Sequence, residues 1–209
     1  MAITTYSELQ TAVQNWLDDT NTLPAARCQE FIALAEADIN RRLRVRAGRS
    51  STSGTTTAGT ATITLPARFG GVVSLGVTVS GYDRPLEQIA PNAALEAYYA
   101  YGNGEPGHYA VEASAIRLFP TPDAEYTYTL HYWERLAALS DSNTSNWLLT
   151  AAPDVYLFGA LVHAEGFRAN DARMPTWRVL YDQALEQLLQ ESAQERTGRG
   201  YMWTDGGTP

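Results

Sequence analysis

The hydrophobic spacing of this chain changes period twice, and that change bounds the folds open to it. Leu9, Val13, Trp16 and Leu17 recur at helical spacing, and so do Cys28, Phe31, Ile32, Ala35, Ile39 and Leu43. From about residue 46 to 136 the pattern turns to alternation, clearest where Tyr126, Tyr128, Leu130 and Tyr132 share one face of a strand. Helical spacing then returns with Tyr156, Leu157, Ala160, Leu161 and Ala164, and again with Trp177, Leu180, Tyr181, Ala184, Leu185, Leu188 and Leu189. Each helical pair has a single apolar stripe to bury, so the two ends of the chain are expected to pack together. The fold class that follows is α+β: a helical bundle built from N- and C-terminal hairpins, with an antiparallel β-domain inserted between them.

Local signals set the boundaries. Thr5-Tyr6-Ser7-Glu8 fits a capping box with Thr5 as N-cap and Glu8 three residues on. Asp18 to Pro24 is rich in turn formers, and a second helix is expected to start near Pro24 or Ala25, since proline suits a first turn. Ser50 to Gly59 is loose and Ser/Thr-rich, and a strand follows over Thr60 to Leu65. Further strands are expected over 71–80, 108–112, 115–119 and 125–133, with a short helix over Asn92 to Tyr101. The expected layout is a hairpin over 1–45, a β-domain over 46–136, helices over 137–196 that pack on the first hairpin, and an extended glycine-rich tail over 197–209.

Composition removes several function classes. Hydrophobic residues make up 44% of the 209 and aromatics 11%, too much for a disordered chain. The longest apolar run, Val155 to Ala164, is about half of what a membrane helix needs. The N-terminus lacks the basic and apolar regions of a secretory signal. A lone cysteine, Cys28, excludes an internal disulfide framework and a cysteine-based zinc site. All fifteen basic residues are arginine and there is no lysine, against 23 acids and a net charge of −8. Such a chain is poorly equipped to grip nucleic acid, where affinity grows with each neutralised phosphate. The charge is uneven: residues 1–49 balance, whereas 50–145 carry nine acids against four arginines.

The sequence carries no recognisable catalytic, cofactor or metal motif. His108, His131 and His163 have no metal-ligand spacing. Gly102-Asn-Gly104-Glu-Pro-Gly107 spells G-x-G-x-x-G, but a dinucleotide site needs a strand before it and a helix after it, and Pro106 marks a loop. Glu96, Glu105, Glu112, Glu125 and Glu134 gather in the β-region, and nothing singles out a catalytic pair among them. Two other features stand out. Arg41, Arg42, Arg44, Arg46 and Arg49 crowd one helix end, where they either complement its dipole or face an anionic partner, a neighbouring subunit or DNA. In the tail, Arg199, Tyr201, Met202 and Trp203 place large apolar side chains on a polar segment, which suggests anchors for a partner more than a fold-back on the chain itself.

Several phrases, taken in order, resemble the head-to-tail adaptor proteins of tailed bacteriophages, the head-completion, tail-accessory or tubular-protein-A type. The opening Tyr6-Ser-Glu-Leu9 to Trp16-Leu17, with Phe31-Ile-Ala-Leu-Ala-Glu36-Ala-Asp-Ile-Asn40-Arg-Arg-Leu43, is similar to that family's N-terminal hairpin. Leu65-Pro-Ala-Arg68-Phe69, Gly104-Glu-Pro106-Gly-His-Tyr109, and Pro120-Thr-Pro122 before the tyrosine strand resemble its β-domain phrases. The strongest likeness is Leu139-Ser-Asp141 to Asn146-Trp147-Leu148-Leu149 with Pro153-Asp154-Val-Tyr156. Arg68 departs from the pattern, standing where an acid is common. The resemblance implies a structural, non-enzymatic virion protein at the head–tail junction, assembled in the host cytoplasm. It implies a ring of twelve copies under the portal protein, contacts with neighbouring subunits and with a tail nozzle or other next tail component, and genomic DNA passing through without specific binding. It implies neither cofactor nor membrane. The competing readings are a virion-associated peptidoglycan hydrolase, and a carbohydrate- or protein-binding module using the tyrosine strand.

Overall fold

The computed structural model describes residues 3–17, 25–90, 102–168 and 172–196. The short helix expected over Asn92 to Tyr101, the turn over 18–24 and the tail over 197–209 lie outside the described residues. The chain divides into two compact units, one formed by Met1–Ala47 with Leu136–Pro209 and the other by Gly48–Arg135. The fold is α+β, as the two changes of period require.

In the helical unit, α1 (Tyr6–Leu17) starts on the expected capping box. The Glu8 amide donates to Thr5 Oγ1 at 3.3 Å, and the Thr5 amide donates back to Glu8 Oε2 at 3.0 Å. Helix α2 (Ala25–Arg42) buries Cys28, Phe31, Ile32, Ala35 and Ile39 along one stripe. The C-terminal helices are α3 (Trp147–Ala151), α4 (Pro153–Arg168) and α5 (Met174–Arg196). Asn146 caps α3, its Oδ1 accepting from the Leu149 amide at 3.0 Å. Helix α3 ends at Ala152 because Pro153 disfavours helical backbone in the residue before it, and the same proline opens α4. Leu9, Val13, Leu17, Ile32, Ile39, Leu148, Leu149, Tyr156, Leu161 and Tyr181 form one core drawn from all five helices. At its centre Gly159 lets three helices approach: a Cβ there would stand 3.1 Å from both Ala35 Cβ and the Tyr181 ring.

Among its described residues the β-unit holds two four-stranded sheets. The first runs β1 (Arg49–Thr55), β8 (Thr127–Glu134), β3 (Phe69–Val79), β4 (Tyr82–Pro85), all antiparallel. The second runs β2 (Thr62–Thr64), β7 (Ala115–Phe119), β6 (His108–Val111), β5 (Glu87–Gln88). Inner faces from both sheets meet in one core of Ile63, Leu75, Val77, Tyr109, Ile116, Leu118, Leu130 and Tyr132. The unit begins and ends on neighbouring strands, with Arg49 opposite Trp133. An insert whose ends meet in this way needs no long connection back to its host.

Two features depart from the sequence reading. The β-domain is not wholly antiparallel, since β5 pairs with β6 in parallel. The stretch between Gln88 and His108 is long enough for the crossover that a parallel pair demands. The loose stretch at Ser50 is also a strand, pairing with β8 through seven consecutive residues. Its serines and threonines carry no apolar alternation, so periodicity alone does not reveal it.

Candidate functional site

The functional groups of the helical unit gather on the last three turns of α2. The spacing Glu36, Asn40 places two polar side chains one helical turn apart on a single face. Both capture the chain as it returns from the β-unit: Glu36 Oε1 accepts from the Leu139 amide at 2.9 Å, and Asn40 Oδ1 from the Leu136 amide at 2.8 Å. Glu36 is only 6% exposed. Its Oε1 also accepts from the Tyr156 hydroxyl at 3.1 Å, and that hydroxyl accepts from Asn146 Nδ2 at 2.7 Å. Asn146 Nδ2 donates in turn to the Ala137 carbonyl at 2.9 Å. The network thus ties α2, α4, the cap of α3 and the segment 136–139 into one arrangement. Burial pushes the Glu36 carboxyl above its ordinary value, against the opposing pull of the Leu139 amide and the Tyr156 hydroxyl. Burial and the nearby Glu36 charge raise the Tyr156 phenol.

The adjoining face of α2 joins α5. Asp38 Oδ2 accepts from the Tyr181 hydroxyl at 2.8 Å and pairs with Arg42 at 3.4 Å. Arg42 reaches Asp182 at 2.8 Å, and its guanidinium lies 5.3 Å from the centre of the Tyr181 ring. Burial raises Asp38, but the Tyr181 hydroxyl and Arg42 outweigh it and hold the carboxyl below its usual range. Asp182 is held low in the same way by Arg42 and Arg178 against its own desolvation. On α4 a third acid, Glu165, is fully buried, and Arg173 Nε stands 3.2 Å from its Oε1 without reaching hydrogen-bond geometry.

The five clustered arginines are not equivalent. Arg41 is 71% exposed and pairs with Asp38 at 3.5 Å. Arg42 is half-buried and committed to Asp38 and Asp182. Arg44 serves the helix end, donating to the carbonyls of Leu43 at 3.1 Å and Asn40 at 3.3 Å. The Arg46 amide donates to Ser192 Oγ at 2.9 Å, and its side chain is exposed. Arg49 belongs to the β-unit, where it lies over the Trp133 ring at 4.8 Å. Arg199, Tyr201, Met202 and Trp203 lie outside the described residues.

The remaining motifs resolve into structure. Residues 102–107 form a loop stitched to Thr121 and Phe119 by the amides of Gly104 and Gly107, and strand β6 follows it, not a helix. In the β-unit Glu105 pairs with Arg84, Glu112 with Arg117 at 2.6 Å, and Glu134 with Arg68 at 2.6 Å. Those acids are engaged one by one, with no two sharing a site. Tyr132 and Leu130 are buried, and Tyr126 and Tyr128 pack against the same core. The tyrosine face is therefore inner packing, not a binding platform. Among the described residues no three His, Cys, Asp or Glu side chains converge to hold a metal ion. No helix among them is long and apolar enough to cross a membrane.

The buried Glu36–Asn40 clasp and the two-unit layout are covered together by one family model, that of the SU10 adaptor protein, which matches residues 4–203. The chain belongs to the SU10 adaptor protein family. The family is that of a phage head-to-tail adaptor, a virion component. The match spans both units and takes in Arg199, Tyr201, Met202 and Trp203. No curated protein matches the chain. In this SU10-type adaptor the polar groups Glu36, Asn40, Asp38 and Arg42 lock α2 to α4, α5 and the segment 136–139. The Glu36–Asn40 pair was legible as residues but not as a clasp, because its partners are backbone amides some hundred residues away. An acid on the apolar face of α2 was the available signal.

Proposed function

We propose that this SU10-family adaptor is a structural ring protein at the head–tail junction of a tailed phage. Twelve copies sit beneath the portal protein, extend the DNA channel and present a platform to the next tail component. The match to the adaptor family over residues 4–203 carries this reading. Arg199, Tyr201, Met202 and Trp203 are the anchors that reach along a portal subunit. Arg41, Arg44 and Arg46, exposed at or beyond the end of α2, face a neighbouring subunit or the DNA, Arg42 steadies that helix end through Asp38 and Asp182, and Arg49, on the outer strand of the β-unit, serves a separate contact. Charge supports a conduit: with 15 arginines against 23 acids, the chain offers passing DNA few cations to hold it.

The test is docking of the purified full chain to portal-bearing, tail-less heads, with labelled protein counted per particle. Saturable binding confined to one vertex is the expected result. No binding to such heads, or binding spread over the capsid, overturns the proposal.

A further inference from the structure

Among the described residues the two sheets of the β-unit have four edges, and three of them are blunted. Strand β2 has three residues and β5 two, too short to template a partner. Strand β4 has four residues, ends on Pro85 and exposes Asp83 and Arg84. The direction of its hydrogen bonds follows from its turn. Ser80 and Gly81, at φ 51 and 84, form a two-residue hairpin, and the Leu86 amide donates to the Leu75 carbonyl at 2.8 Å. Tyr82 and Arg84 therefore bond inward to β3, and Asp83 is left with the single amide on the outer side, since Pro85 has none.

Strand β1 differs in every respect. It has seven residues, Arg-Ser-Ser-Thr-Ser-Gly-Thr, an unbroken register against β8, no proline, no bulge and one charge, Arg49. The Thr56 amide donates to the Tyr126 carbonyl at 2.9 Å, which fixes the alternation. Ser50, Thr52 and Gly54 bond inward to β8, and the amides and carbonyls of Ser51, Ser53 and Thr55 point to the open edge. Among the described residues nothing pairs with them. Arg49, at the head of this edge, is held over the Trp133 ring at 4.8 Å, and among the described residues it meets no acid.

We propose that the open edge of β1 is a strand-addition site for an extended segment of a different protein, one that sets an acidic residue opposite Arg49. Main-chain bonds from Ser51, Ser53 and Thr55 supply the affinity and the Arg49 guanidinium fixes the register. A second copy is a poor occupant. Its β4, β2 and β5 edges are blunted. Its own β1, paired antiparallel about Thr52, would set Thr55 opposite Arg49 and bring no acid to it. The inference rests on the adaptor reading, which places such partners within reach.

The test uses the full chain, free and docked on portal-bearing, tail-less heads, with amide hydrogen exchange read residue by residue. In the free chain Ser51, Ser53 and Thr55 exchange fast while Ser50, Thr52 and Gly54 are protected. On docking, the three fast amides slow at least tenfold. Arg49→Glu keeps the β8 ladder and weakens docking at least tenfold, and Arg49→Lys restores part of it. Docking that leaves the three amides at their free rates overturns the inference and spares the adaptor reading. Failure of the wild-type chain to dock removes both. Protection that appears in the free chain on raising its concentration assigns the edge to a second copy and overturns the choice of occupant.

Discussion

Replacing Glu36 with alanine strands two buried donors, the Leu139 amide and the Tyr156 hydroxyl, which now lie 2.9 and 3.1 Å from its Oε1. A buried donor left without a partner costs about 1–3 kcal/mol. The substitution is therefore expected to destabilise the helical unit by about 2–6 kcal/mol at neutral pH. Glu36→Gln keeps an oxygen where Oε1 stands, so its cost is expected at about 1 kcal/mol. The assay is urea unfolding followed by tryptophan fluorescence, since Trp16, Trp147 and Trp177 all lie in the helical unit. The two variants also separate in pH. Burial raises the Glu36 carboxyl, so the folded state favours its neutral form. Stability from this group is fully present below the unfolded value, about 4.3, and is lost as pH rises through the higher folded value. Wild type should gain on Glu36→Gln as the solution is acidified across that window. An alanine variant within about 0.5 kcal/mol of wild type, or a Gln variant with the wild-type pH profile, would refute the clasp.

Other consequences follow from the same geometry. Asp38 and Asp182 are held low, so their contribution is present above the unfolded value, about 3.9, and is lost as pH falls through their folded values. Asp38→Asn should flatten the acid limb of a thermal-melt series, and an unchanged limb would contradict the assignment. Gly159→Val forces side-chain atoms into the 3.1 Å approaches of Ala35 and Tyr181, with an expected loss of about 1–3 kcal/mol in chemical denaturation, where no loss would mean the helices are not so close. Deleting residues 197–209 should leave the melting midpoint within a degree or two and abolish binding to isolated portal, and retained binding would remove the anchor role. The free chain is expected to be monomeric in sedimentation, because a modest lateral interface does not offset the entropy of association without a template. A stable ring of the isolated protein would contradict that.

The helices and most strands were legible because burial imposes a period on side chains. The stripe from Cys28 to Leu43 and the alternation from Tyr126 to Tyr132 each predicted the buried face that is found. The capping box at Thr5 was readable for a similar reason, since both partners lie within four residues. What escaped depends on partners distant in sequence, which leave no local period. Strand β1 exists because its amides pair with β8, and serine and threonine on both faces leave no hydrophobic trace. The parallel β5–β6 pair depends on where a long connection returns, which no local pattern encodes. The arginine cluster was visible as a cluster but not as a set of separate tasks. Arg42 turns inward to Asp182, which arrives from a helix 140 residues later. The clasp of Glu36 and Asn40 was hidden the same way, its partners being main-chain groups at Leu139 and Leu136.

The adaptor role is tested most directly by a reconstruction of the portal vertex of the virion with the position of this chain marked by an added tag. The expected result is a single ring of density immediately beneath the portal, twelve copies about the DNA channel, with the tagged C-terminal segment lying along portal subunits. A chain absent from the virion, or found away from that vertex, would contradict it.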